Sequence, residues 1–251
     1  MSEIQFSKKD VANTILLAGR ILLQSGAETS RVEDTMFRMA RSLGYKECQG
    51  YVINFLIHFT LDEDTKHKIV RIDQNSTNLF KIYQVNEISR KLVAGHISIQ
   101  EADRMLRAMN TTLFDYPLWC KSLSAGIISF CFLYLQGGDF INVFTAVIAG
   151  IIGFIIVEMM KMKHTSLFIP ELIGSMIVGS LSVLGHKLAP ETQIGAIVIA
   201  GVMPIVPGVL ITTAIQDLFG RHMLLFTAKF LEALVTSFAI GTGIAISLLI
   251  N

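Results

Sequence analysis

Charge is what this sequence runs short of, and the shortage is local. Lys, Arg, Asp and Glu make up 16% of the 251 residues, where an ordinary soluble domain carries about a quarter. These residues recur every few positions up to about residue 112 and nearly vanish from Leu118 onward. The asymmetry excludes a single soluble domain and divides the chain into a polar part, residues 1–112, and an apolar part, residues 113–251. Cysteine is scarce as well. Cys48, Cys120 and Cys131 have no paired spacing, and the six histidines have no ligand spacing. Neither a disulfide framework nor a metal site follows, and no cofactor is called for. With a net charge of +1 and no basic patch interleaved with aromatics, nucleic acid is not an expected partner. The N-terminus, MSEIQFSKKD, is charged and leads into an amphipathic pattern, which is not the form of a signal peptide.

The polar part mixes two periodicities. Val11–Leu23 carries apolar residues at helical spacing and stops at Ser25-Gly26. A second helix is predicted from Thr29 to Leu43, with Met36, Met39 and Leu43 on one face and Glu28, Glu33 and Asp34 crowding its start. YVINFLIHFTL, the polar run DEDTKHK and IVRID then read as two strands joined by a turn. The helical period returns after Gln74-Asn75-Ser76, from Asn78 to Ala94. Ser98-Ile99-Gln100-Glu101 has the form of a capping box that opens a last helix to Met109. The expectation is an α+β cytoplasmic domain of two helices, a hairpin and two helices.

The apolar part offers five runs near the 20 or so residues that a span needs: 118–136, 140–160, 167–185, 194–215 and 224–250. The fold class expected is therefore an α-helical integral membrane protein with five transmembrane helices. Arg104, Arg107 and Lys121 flank the first span, Lys161 and Lys163 follow the second, and Arg221 follows the fourth. The positive-inside rule puts the N-terminal domain on the cytoplasmic side. Ala146 and Gly150, Ser175 and Gly179, Ala196 and Ala200, and Ala239 and Gly243 are small pairs four apart, suited to close helix packing.

One run stands out. MPIVPGVLITTAIQDL sets Pro204, Pro207 and Gly208 near the middle of an otherwise apolar segment and closes on Asp217. Proline in a helix interior costs about 3 kcal/mol or more, and irregular backbone at membrane depth is tolerated only in protein or beside a watery cavity. The reading is an unwound middle, with Pro207 opening a half-helix whose Gly208, Val209 and Leu210 amides could receive a carboxylate. A plain proline kink is the alternative. Charges in or beside the spans are functional candidates by default. Glu171, after Pro170, has no partner in its own span and is assigned to substrate or proton contact. Asp217 with Arg221, and Lys229 with Glu232, are assigned to gating or coupling; Glu158 and Asp217 could equally sit at the interface.

Two stretches carry a family resemblance. SGAETSRVEDTM, Ser25–Met36, and PGVLITTAIQDLFGRH, Pro207–His222, resemble the two signatures of the bacterial threonine/serine exporter family, and the likeness extends over nearly the whole chain. The resemblance implies gradient-driven export of small amino or carboxylic acids, dicarboxylates among them, across a bacterial plasma membrane. It also implies that this chain is the larger member of a split pair, working with a small membrane partner. Self-association is left open. Glu28, Arg31, Glu33 and Asp34 are either helix-start stabilisers or a cytoplasmic motif in which Arg31 receives a carboxylate.

Two rival classes are carried along. A membrane-bound hydrolase would need Ser30, Glu33, His58 and His67 to be recruited together, although no spacing does so; no catalytic residue is assigned. A regulatory or assembly subunit would leave transport to the partner.

Overall fold

The computed structural model describes residues 7–53, 56–62, 67–72, 77–111, 116–163 and 168–250. By internal contacts the chain divides into two compact units, Met1–Phe114 with Val209–Lys229, and Asp115–Gly208 with Phe230–Asn251.

The first unit opens with α1, Lys8–Gln24. Ser7 caps it: the Asp10 N–H donates to Ser7 Oγ (3.3 Å), and the Asp10 carboxylate accepts from the Ser7 hydroxyl (2.6 Å) and N–H (3.1 Å). Those bonds, the side-chain one first, hold the Asp10 carboxyl below its ordinary value. Val11, Ile15, Ala18 and Leu22, three or four apart, are buried. The helix ends at Gly26, whose φ of +77° is left-handed, and the Ala27 N–H returns to the Leu22 carbonyl. α2, Thr29–Ser42, buries Val32, Met36 and Met39.

The next segment corrects the hairpin. Three antiparallel strands, β1 Gln49–Ile53, β2 Leu56–Thr60 and β3 Lys68–Arg71, lie in the order β1-β2-β3. The run expected as one strand is two. Val52 and Ile57 are an odd number of residues apart, so one strand would send them to opposite faces; paired across β1 and β2, both are buried. The expected breaks at 63–66, 74–76 and 164–167 lie outside the described residues. α3, Leu79–Val93, starts where the Asn78 side chain accepts the Lys81 N–H (3.0 Å). α4, Ile99–Thr111, starts where Ser98 Oγ accepts the Glu101 N–H (3.2 Å). One continuous cluster runs from Val11 to Leu106, with Ile15, Leu22, Val32, Ile57, Phe59, Val85 and Leu106 at its centre.

The second unit is helical. α5 is Leu118–Leu135; a short 3-10 turn, Phe140–Asn142, leads into α6, Val143–Lys163; α7 is Ile169–Leu188. α8, Ile194–Val202, and α9, Gly208–Phe219, are short, and α10 runs from Met223 to Ile250. Among the described residues four helices are long and apolar enough to cross a bilayer: Leu118–Leu135, Phe140–Met162, Ile169–Leu188 and Met223–Ile250. The run 194–215, expected as a fourth span with an unwound middle, is α8, a turn at 203–207, and α9. Fewer than half the residues of each long helix are buried, 28–44%, and the outward remainder is apolar, as a multi-pass membrane protein requires.

The small pairs sit where helices meet. A Cβ on Gly150 would strike the Ser129 hydroxyl of α5 and lie 3.3 Å from the Gly201 carbonyl of α8. A Cβ on Gly243 of α10 would strike the Leu172 carbonyl and the Ser175 hydroxyl of α7.

Candidate functional site

In the first unit the two family-like stretches meet. The Thr29 N–H, at the start of α2, donates to Asp217 Oδ1 of α9 across 188 positions of sequence (3.4 Å). Asp217 is fully buried, and its Oδ2 holds Lys229 Nζ of α10 at 2.6 Å, with the lysine side chain 15% exposed. Glu28, the N-cap residue of α2, makes no side-chain cap bond and instead accepts from the Ser30 hydroxyl. Asp217 therefore supplies from a distance the negative charge that the positive end of α2 favours. Breaking a buried, hydrogen-bonded pair of this kind costs about 3–5 kcal/mol. Beside it, Thr29 Oγ1 is buried with no hydrogen-bond partner among the described residues.

Glu33 extends the cluster. Its Oε1 accepts the Val52 N–H (2.8 Å), tying α2 to β1, and its Oε2 lies 3.9 Å from His222 Nε2. Asp34 pairs with Arg38 on an exposed face (2.8 Å). Arg31 is exposed on the first turn of α2.

Two sequence expectations change here. Asp217 is buried in the first unit. Its partner is Lys229, not Arg221, which adopts a left-handed conformation (φ 63°) just after α9 and so turns the chain toward α10. Lys229 is engaged by Asp217 across 12 residues.

In the second unit two carboxylates are also matched by lysines. Glu158 of α6 holds Lys121 of α5 at 2.7 Å, with side-chain exposures of 24% and 26%. Glu158 is thus half-buried in an interhelical pair. Glu171, in the first turn of α7, holds Lys161 of α6 through Oε1 (2.7 Å), while its buried Oε2 has no partner among the described residues. Glu232 lies in this unit, on α10.

The α8–α9 break follows from its prolines. The Ile205 and Val206 amides turn back to the Val202 carbonyl (2.9 and 3.2 Å), and the Gly208 N–H donates to the Val206 carbonyl (2.8 Å). Pro204 lies in the turn and Pro207 immediately precedes α9. The Gly208 amide, expected to point free, is therefore engaged, whereas Val209 and Leu210 stand in the first turn of α9.

The Ser30 hydroxyl is on Glu28, and His58 is stacked between Tyr51 and His67, with ring centroids 4.9 and 5.1 Å away. Sequence reasoning used Lys121 only as a topology marker and passed over His222 and Thr29. The matching of lysines to carboxylates between helices had no sequence signal, because Lys121 and Glu158 lie 37 positions apart and Lys229 and Asp217 lie 12 apart.

Comparison with known proteins supplies the family. The chain is 25% identical over 241 residues to "Pheromone-regulated membrane protein 10" of Eremothecium gossypii, covering 92% of this chain and 32% of that protein. It is 23% identical over 247 residues to the "Probable threonine/serine exporter" of Mycobacterium tuberculosis, covering 96% and 46%. It is 23% identical over 229 residues to the "Probable succinate transporter subunit YjjP" of Klebsiella aerogenes, covering 90% and 88%. The chain thus spans less than half the length of the first two and most of the third. No solved structure matches it. The threonine/serine exporter family, ThrE, matches across residues 13–251, and the chain belongs to that family of transporters.

Proposed function

We propose that this chain is the larger subunit of a split exporter that moves threonine, serine or related small carboxylates out of the cytoplasm. A small membrane partner completes it. The observation that carries the reading is the interruption of the apolar segment at 203–207 within a chain that matches an exporter family over nearly its whole length. The name of the YjjP relative, which calls that protein a subunit, supports the partner.

In this reading residues 1–112 form the cytoplasmic domain and residues 113–251 the membrane domain of a bacterial plasma membrane protein. α8, the turn and α9 together make the fifth crossing. Pro204, Pro207, Gly208, Val209 and Leu210 shape a substrate-binding break, where backbone at membrane depth needs a cavity or protein around it. Glu171, with one carboxylate oxygen bonded and the other buried and unpartnered, binds substrate or the coupling proton. Asp217 and Lys229, with Arg221 and Glu232 nearby in sequence, form the gate at the cytoplasmic end. Glu28, Arg31, Glu33 and Asp34 form the mouth that the substrate meets first.

The test is Pro207→Ala combined with Gly208→Leu, which lets the break close into helix. Efflux is lost while membrane insertion, read by protease accessibility of the loops, is unchanged. Normal efflux by this variant would remove the break from the transport path.

A further inference from the structure

The second unit contains a cavity of about 460 Å³ between α5, α6 and the turn after α8. Tyr116, Lys121, Ser124 and Ile128 line it along α5, Phe154 from α6, and Pro204 from the turn. Its two ends differ. Tyr116 and Lys121, the latter paired with Glu158 (2.7 Å), stand where α5 begins. Farther along, Ala125, Ile128, Phe154 and Pro204 make the walls apolar, and the Ser124 hydroxyl donates to the Cys120 carbonyl (3.0 Å). Pro204 brings a ring and no N–H, so that residue of the break adds no backbone donor to the wall. Ser124 and Ile128 are exposed, as are Trp119, Leu123 and Ile127 beside them on α5. The cavity is therefore continuous with the apolar outer face of that helix.

We propose that this cavity holds one acyl chain of a membrane phospholipid, with the headgroup at the Tyr116–Lys121 end. The inference goes beyond the exporter reading and does not depend on which substrate is moved. The dimensions fit a chain of that kind. Cys120 and Ile128 both line the cavity and lie about 12 Å apart along the helix. One leaflet of hydrocarbon is about 15 Å deep. The volume takes on the order of fifteen methylenes if each needs about the 30 Å³ of a water, which is one acyl chain. A helix of the same length, 10–12 Å across, needs about 1,000 Å³ and does not fit. Polar solutes fail on chemistry, because a bound water needs two to four polar partners and the side chains at the inner end are apolar. Left empty, those walls forfeit dispersion contacts that a methylene chain restores. Tyrosine and lysine at the outer end are residue types that sit at headgroup level, with an apolar body and a polar tip. Pro204 sets the bound chain against the interruption in the apolar segment.

The full chain, stripped of lipid in detergent, is titrated with dioleoyl phosphatidylglycerol, and bound lipid is counted by native mass spectrometry. One lipid binds saturably. Ser124→Trp, which fills the cavity from its exposed mouth, raises the half-saturating concentration by about ten-fold or more. Leu123→Trp adds the same ring to the outer face at the same depth and leaves that concentration unchanged. Dihexanoyl phosphatidylglycerol, with the same headgroup, also needs a concentration higher by about ten-fold or more, because each methylene left unburied weakens binding. That comparison uses the unaltered chain, so it stands even where Ser124→Trp folds poorly. Absence of saturable binding would overturn the site, and so would equal binding of the two chain lengths. Equal effects of the two tryptophan variants would overturn it as well. Tighter binding of free oleate would give the cavity to a fatty acid, and displacement of the lipid by the small membrane partner would give it to a protein; either result contradicts the proposal.

Discussion

The two units bury their side chains in opposite ways. In the first, large residues point inward: Phe59, Ile15, Leu22, Ile57 and Leu106 are at most 1% exposed and belong to one continuous cluster. In the second, Ala149, Val178, Val202 and Ile240 form one small cluster and Leu133, Ala146, Ile197 and Ala200 another. Many of its large residues point outward instead, Phe144, Phe238 and Leu249 among them at 75%, 78% and 87% exposed. Water drives the first arrangement, because apolar area removed from it is worth about 25 cal/mol per Å². Lipid provides no such drive, so helices associate through small residues and matched polar groups. Asp217–Lys229 in the first unit is 0% and 15% exposed, and Lys121–Glu158 in the second is 26% and 24% exposed.

The sharpest break in this comparison comes at Asp217. Asp217→Ala strands a buried lysine and lowers the stability of the first unit by about 3–5 kcal/mol. Adding Lys229→Met recovers most of that loss, because an apolar replacement of the whole pair is often neutral. Efflux stays lost in the double variant if the pair is a gate and returns if the pair only holds the fold. Thermal unfolding and efflux, measured on the same preparations, separate the two.

Phenylalanine truncation in each unit comes next. Phe59→Ala opens a cavity in the continuous core and costs about 3–5 kcal/mol, while Phe238→Ala on the outer face of α10 changes stability by about 0.5 kcal/mol or less. Equal losses at the two positions would mean that Phe238 is covered by protein.

Glu171→Gln keeps the volume and removes the charge that faces Lys161. The pH profile of efflux flattens, and a profile identical to that of the unaltered chain would take Glu171 out of the coupling.

The smallest effect is at the cap of α1. Ser7→Ala costs about 1 kcal/mol. The folded Asp10 carboxyl lies below its free value of 3.8, so its contribution is present above that pH and is lost as pH falls through the lower folded value. Acid unfolding curves of the two chains should therefore converge at the low end of that window.

Local signals were readable in the sequence wherever the chain obeys one periodicity. α1 through α4 were placed by their apolar spacing and by Ser98 and the glycines after them, and α5, α6, α7 and α10 by their length. The β region was misread because one unbroken β-rich run hides two strands, and only the pairing of Val52 with Ile57 shows where it folds back. At the break, Pro204 and Pro207 announced an interruption, but the Gly208 bond to Val206 depends on the backbone path and has no sequence mark. The charged residues were found; their partners were not. Arg221 was the nearest cation to Asp217 in sequence, yet its left-handed backbone turns the chain so that α10 brings Lys229 to Asp217 instead. Thr29 gave no signal, because its place beside Asp217 is made by a contact 188 positions long.

The central claim is transport, and it is tested most directly by efflux from cells that lack their own exporters. Cells loaded with labelled serine, threonine or succinate would express this chain alone, the small membrane partner alone, or both. The account predicts efflux of at least one of these labels, and only when both are present. No efflux of any label from cells that make both proteins in the membrane would contradict it.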